Sequence, residues 1–347
     1  MRHQFMRAAG SARGFGTKYA NPATLPSSSN RVIFSPLNDA IAVVGYLGQG
    51  ISVYAWSEST GFGARYTNPG TLPTRPFYSV AFSPSGDVIA MSSFGSPYLV
   101  AYSWSSSTGF GTKYANPASP PTGSVAGIAF SPSNDAIAAD FYNSSFSAYQ
   151  WNTSTGFGAR FTTTGLASGG YTGSNVAFSP QGNQIAGFGS SSPYIYVYPW
   201  SGSGFGTKYA NPSTLPNGGT SPSGGGVAFS PSGDALAAAH DSTPYITVYP
   251  WSPSGFGTKY SNPATLPTGI GTGVAFSPAG NAIAVAHGTS PFISAYPWST
   301  SGFGTKYSDP ATLPTGNSNS VAFSPSGNAI AVGHDTSPYI TVYPWSP

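Results

Sequence analysis

The sequence has no cysteine and very little charge. Of 347 residues, 12 are Lys or Arg and 9 are Asp or Glu, 6% in all, where an average soluble domain carries roughly a quarter. Without cysteine there is no disulfide framework, no thiolate zinc site and no thiol chemistry. A net charge of +3 over this length is no phosphate-binding footprint, so nucleic acid is not an expected partner. No apolar run reaches the length of a membrane helix, so no membrane insertion is expected. Glu58 is the sole glutamate, and paired carboxylates at nonequivalent sites are scarce, so glycosidase chemistry lacks its two groups. No nucleophile elbow occurs between a strand and a helix. The glycine-rich stretch Gly218 to Gly226 has no lysine and precedes no helix, so it is not a phosphate loop. The composition points to a non-enzymatic protein with no cofactor.

Glycine (45), proline (33) and aromatic residues (15%) are abundant instead, and they are periodic. Gly-Phe-Gly begins at Gly14, Gly61, Gly109, Gly156, Gly204, Gly255 and Gly302, at intervals of 47, 48, 47, 48, 51 and 47. Phe-Ser-Pro keeps step, from Phe34 to Phe323, and the seven tryptophans fall one per repeat, from Trp56 to Trp345. Seven repeats thus fill residues 14–347. Residues 1–13, with Arg2, Arg7 and Arg13 and no apolar core, do not read as a secretory signal. They are expected to be a disordered basic tail, the alternative being a tether to an acidic partner.

Each repeat reads as four short strands and no helix. In the last repeat, Ser320 to Ser324 is an apolar strand and Pro325 to Asn328 a tight turn. Ala329 to Gly333 is a second strand. After a loop, Tyr339 to Trp345 alternates with period two, and Pro344 marks the end of its ladder. The Gly-Phe-Gly segment that opens each repeat is the fourth. Four antiparallel strands in a unit of about 40 to 50 residues, used seven times, predict an all-β, seven-bladed propeller. The phase of the repeat predicts its closure: Phe15 to Tyr19 should pair with Tyr339 to Trp345 and complete the last blade.

The segment Val227 to Trp251, VAFSPSGDALAAAHDSTPYITVYPW, resembles the WD-repeat family, whose blades run apolar pentamer, Ser-Pro-x-Gly turn, second strand, loop and third strand. The resemblance covers about half of each repeat. Two features depart from it. Tyr-Pro or Tyr-x replaces Trp-Asp, and the loop before the first strand carries no Gly-His. The repeated GFGTKYxNPxTLP…VAFSPSGN pattern is also similar to propeller proteins of bacteriophages and environmental bacteria. The resemblance implies that the loop entering a blade and the loop after its second strand share one face.

Several recurring positions are candidates for function. Asp39, Asp87, Asp135 and Asp234 alternate with Asn183, Asn281 and Asn328 in one slot. The exchange fits turn chemistry better than a calcium ring, which favours charge. Lys18, Arg65, Lys113, Arg160, Lys208, Lys259 and Lys306 share a slot on the outer strand. They read as edge protection, the alternative being a positive belt for an acidic partner. The tryptophans are expected to pack between blades; an exposed indole ring that stacks on sugars is the alternative.

His240, His287 and His334 occupy one loop slot, shared with Tyr46, Phe94 and Phe188 and close to Phe141, and Asp241 and Asp335 follow two of the histidines. A partly exposed contact group is the preferred reading there over a zinc site. The loop that enters each blade varies most and carries Arg75, Phe77 and Tyr78 in the second repeat. Such loop variation suits binding, and drift after duplication explains it as well. The resulting expectation is a binding or structural protein on a virion or cell surface, used for decoration or host attachment. A glycan-binding lectin and an intracellular, cytoplasmic interaction scaffold are the alternatives. The partner is thus a protein or a surface glycan.

Overall fold

The computed structural model describes residues 13–48, 50–73, 76–141, 146–162, 172–189, 192–216 and 225–347. Among them every regular element is a strand, and 28 strands form seven four-stranded antiparallel sheets. No helix among the described residues is long and apolar enough to cross a membrane. In the second blade the order from the axis outward is Phe77–Phe82, Val88–Ser93, Leu99–Ser105 and Gly109–Lys113. Inner strands touch around a closed ring, and Arg31–Phe34 contacts both Phe77–Phe82 and Ser318–Phe323. The chain is a seven-bladed β-propeller. Its closure is the expected one: Gly14 pairs with Ser346 and Phe15 with Trp345. Beyond the ladder, the amides of Gly16 and Tyr19 donate to the carbonyls of Pro344 and Val342 at 2.8 and 2.9 Å.

The second strands explain how neighbouring blades fit. Ala40 and Ala42 point to one face of the first blade, and Ile41 and Val43 to the other. The alanine face packs on Ile89 and Met91 of the next blade. The Ile41 face receives Ala329 and Ala331 of the last blade. A small face against a large face recurs around the ring. Both faces of each blade are therefore covered, and Ile340–Ser346 is buried on both sides despite its alternating sequence. That is how an apolar strand and an apparently amphipathic one share a core.

The Phe-Ser-Pro turn fixes the first hairpin. Ser35 Oγ accepts the amides of Asp39 and Ala40 at 3.1 and 3.0 Å and donates to Asp39 Oδ1 at 2.6 Å. The equivalent serine accepts the amide opening the second strand in every blade. The Asp/Asn slot is thus turn chemistry, as expected. Each tryptophan is buried in an aromatic cage. Trp298 meets Tyr260, Phe276 and Phe303 edge-on at 5.0, 5.4 and 5.1 Å. Tyr260 arrives from the preceding blade, so the cage also staples neighbours together.

Gly-Phe-Gly needs both glycines. The first has φ between 79° and 107° in all seven repeats, a region open to glycine. The second lies against the third strand: a Cβ on Gly304 would sit 2.9 Å from Cβ of Pro297. The length of the outer strand depends on that third-strand residue. Where it is Pro199, Pro250, Pro297 or Pro344, the outer strand has two residues. Where it is Ala55, Ser103 or Gln150, the outer strand has five, five and seven. Proline has no N–H to give to the ladder.

Candidate functional site

The loop entering a blade and the loop after its second strand meet on one face, as the resemblance implied. Thr268 Oγ1 donates to the Ser290 carbonyl at 2.7 Å, and Thr315 Oγ1 to that of Ser337 at 2.7 Å. In the first blade, Ser27 Oγ donates to the Leu47 carbonyl at 2.6 Å while the Leu47 amide donates to Ser28 Oγ at 2.8 Å.

The histidines are not surface groups. His240, His287 and His334 are each 0% exposed. The His287 Nδ1–H donates to the Thr289 carbonyl at 2.7 Å, and Nε2 accepts from Ser294 Oγ at 3.0 Å. His334 makes the same pair with Thr336 and Thr341. Burial pushes the pKa of all three down to about 4, so each ring is neutral and belongs to the core.

The slot shared with aromatic residues also needs correcting. The amides of His240, His287 and His334 pair with the carbonyls of Tyr245, Phe292 and Tyr339. The residues making that bond in other blades are Gly45, Ser93 and Gly189. Tyr46 and Phe94 lie one position later, level with Asp241, Gly288 and Asp335; Phe188 lies one earlier. A one-residue step reverses the direction of a strand side chain. Phe188 is accordingly buried, as is Phe77, whereas Tyr46 and Phe94 are 49% and 51% exposed.

The loop face therefore presents an aromatic cluster at the first two blades. Tyr78 stands between Tyr46, at 5.0 Å, and Phe94, at 6.0 Å between ring centres. Leu47, 60% exposed, extends the patch. Arg75, expected in the same region, lies outside the described residues, as do residues 1–12 of the basic tail. At the corresponding positions of the last three blades stand the half-buried Asp241, Gly288 and the exposed Asp335.

The basic slot is tied to its own loops. Lys18, Lys208 and Lys259 donate to Oδ1 of Asn21, Asn211 and Asn262 at 2.5, 2.6 and 2.5 Å. Lys306 makes an ion pair with Asp309. Arg65 reaches the Ile51 carbonyl at 3.1 Å. Arg160 donates to Ser147 Oγ at 3.0 Å and lies over the Phe141 ring. Lys113 holds the register of Arg65. The other six cations brace the outer segments. The tryptophans are buried in their cages, so no exposed indole ring faces solvent. Among the described residues no group of three or more His, Cys, Asp or Glu stands together to hold a metal ion.

The opposite face carries two features that recurrence alone did not reveal. Glu58, in the turn between the third and fourth strands of the first blade, accepts hydrogen bonds from Asn38, Ser324, Ser326 and Asn328. Three of these donors belong to the last blade. Between the third and fourth blades lies a cavity of about 320 Å³, lined in part by Asp135, Gln150, Asn152 and Phe161. A column-by-column comparison of repeats holds the signal, because Gln150, Asn152 and Phe161 each depart from the residues used in the other six.

No family model matches the chain, and no curated protein matches it in sequence. Its fold is similar to that of solved WD-repeat-like propellers. The β-propeller domain of Cps50 (Swd1) from Myceliophteria thermophila superposes with a TM-score of 0.65 at 12% identity, covering 93% of this chain and 99% of that one. A chain of the mitotic checkpoint complex superposes with a TM-score of 0.69 at 15% identity, covering 100% and 97%. At these identities the likeness is one of fold: the class is the seven-bladed β-propeller.

Proposed function

We propose that this protein is a non-enzymatic interaction scaffold that binds a protein partner through the loop face of its first two blades. The observation that carries this reading is the cluster in which exposed Tyr46, Leu47 and Phe94 flank the half-buried Tyr78. Clustered aromatic side chains give large contact area at low entropic cost and dominate interface energetics. The partner that fits presents a complementary apolar patch. One structural neighbour lies within a multiprotein complex by its title, which agrees with a protein partner. A photo-crosslinking residue at position 46 is expected to give partner adducts that the same residue at position 335 does not. Equal labelling at both positions would sink the reading. The surface setting expected from the neutral, serine-rich composition rests on that composition, and mass spectrometry of purified particles against cytosol tests it. A glycan ligand is a second reading, favoured by the cavity between the third and fourth blades, where the polar side chains of Asp135, Gln150 and Asn152 stand beside Phe161.

A further inference from the structure

The cavity between the third and fourth blades lies at the end of the strands remote from the aromatic cluster, where the Asp135 turn and the Asn152 turn come together. Three departures from the repeat converge on it. The residue before the blade tryptophan is Ala, Ser or Pro in six blades and Gln150 in the third. The residue after it is Ser in six and Asn152 in the third. The aromatic residue that follows the basic slot is Tyr in six and Phe161 in the third.

Each departure has a physical consequence. The Tyr66 and Tyr114 hydroxyls donate to the carbonyls of Ser106 and Thr153 in the next blade, at 2.6 and 2.7 Å. Phe161 packs on Trp200 in the same way, at 5.6 Å between ring centres, but has no hydroxyl to fill that gap. Gly202, in the turn beyond, adds no side chain either. The space left is the cavity. Gln150 and Asn152 are two residues apart on one strand and so project from the same side. Gly158 makes room for the first: a Cβ there would come within 3.0 Å of Gln150 Cβ.

The polar groups are presented in complementary senses. Asn152 Oδ1 is occupied by the amides of Ser154 and Thr155 at 2.9 and 3.3 Å, which leaves Nδ2 as a donor. Asp135 Oδ1 accepts the hydroxyls of Ser131 and Ser133, both at 2.7 Å, which leaves Oδ2 as an acceptor. The Gln150 amide offers one of each. Vicinal hydroxyls need this combination, because each donates one hydrogen bond and accepts another. Among the described residues no Lys or Arg lines the cavity, so an anionic ligand finds no counter-charge beside the Asp135 carboxylate. The volume lies at the small end of ligand sites and suits one sugar ring.

We propose that this cavity binds a neutral monosaccharide unit, held by Asp135, Gln150 and Asn152 with Phe161 as its apolar wall. The site is independent of the aromatic cluster on the other face. The test is saturation-transfer NMR and titration calorimetry with the methyl glycosides of glucose, galactose, mannose, fucose and N-acetylglucosamine. At least one is expected to bind at millimolar concentration. Gln150→Ala and Asn152→Ser install residues that other blades already carry, so the fold should survive, as near-ultraviolet circular dichroism will report. Each should weaken binding about tenfold, the loss of one hydrogen bond to the ligand. Phe161→Tyr should put a hydroxyl into the cavity and block the site, whereas Tyr46→Ser should leave binding unchanged. No transfer from any of the five glycosides to the folded protein would overturn the proposal. So would binding that survives the Gln150→Ala/Asn152→Ser double substitution undiminished.

Discussion

The first three blades and the last three share an interior and differ almost everywhere else. Both arcs use the buried turn serine, the alanine face set against a large face, and the caged tryptophan. On the loop face, the last three blades bury His240, His287 and His334. The first two place Gly45 and Ser93 at that register and turn Tyr46, Leu47 and Phe94 outward. At the rim, Pro250, Pro297 and Pro344 cut the outer strand to two residues, where Ala55, Ser103 and Gln150 allow five to seven. The positions that close the ring are uniform, and those that leave it are free to vary. This separation is what lets a propeller acquire sites without losing its core.

If the interiors are equivalent, the same deletion should cost the same in both arcs. Trp104 and Trp298 sit in matching cages of one tyrosine and two phenylalanines. Trp104→Ala and Trp298→Ala are each expected to destabilise the fold by about 3–5 kcal/mol, measured by denaturant unfolding. A gap between them of more than about 1 kcal/mol, beyond ordinary context dependence, would show that the arcs are not equivalent inside.

Acid should separate the arcs. Burial holds His240, His287 and His334 at a pKa of about 4 when folded, against about 6.5 for an unperturbed histidine. The unfolded chain therefore binds more protons between these values. The stability tied to the neutral rings is complete above pH ~6.5 and is lost as pH falls towards 4, at up to about 1.4 kcal/mol per unit for each ring. The first two blades have no histidine at this register. Hydrogen exchange at pH 5 against pH 7.5, corrected for intrinsic rates, should show protection falling first in the last three blades. His287→Gln should remove part of that dependence. Uniform loss of protection around the ring would refute the assignment.

The fold was legible because its signals are periodic. Gly-Phe-Gly and Phe-Ser-Pro fixed the number of blades, and their phase placed Phe15 against the final strand. The histidine register is harder to see, because the loops that carry it differ by one residue in where their aromatic side chains stand. Counted from the Phe-Ser-Pro phenylalanine, His240, His287 and His334 are eleven residues on, and so are Gly45, Ser93, Phe141 and Gly189. Tyr46 and Phe94 are twelve on, and one residue decides whether a side chain enters the core or the solvent. The cavity was less accessible. Gln150 and Asn152 stand out from their columns, but the space they face exists because Phe161 of the same blade and Gly202 of the next leave it open. That convergence is a property of the ring, not of any one repeat.

The smallest expected effect lies where the two arcs meet. In six blades the turn serine donates to its own Asp or Asn. In the last blade Ser324 donates across the seam to Glu58 at 3.1 Å, joined by Ser326 and Asn328. Burial pushes the Glu58 carboxyl up, but the hydrogen bonds from Ser326, Asn38, Asn328 and Ser324 outweigh it and hold the pKa below its ordinary value. A depressed carboxyl pKa contributes stability that is present above the unfolded value of about 4.3 and is lost as pH falls through the folded one. The site is partly exposed, so solvent screening limits the contribution to about 1 kcal/mol or less. Glu58→Gln should thus unfold slightly earlier than the parent at pH 6, with the gap narrowing as pH falls through the acid range. That acid window lies below most of the histidine one, so a scan of unfolding midpoint against pH resolves the two. A deficit that persists undiminished at pH 3 would mean that Glu58 holds the seam by shape rather than by charge.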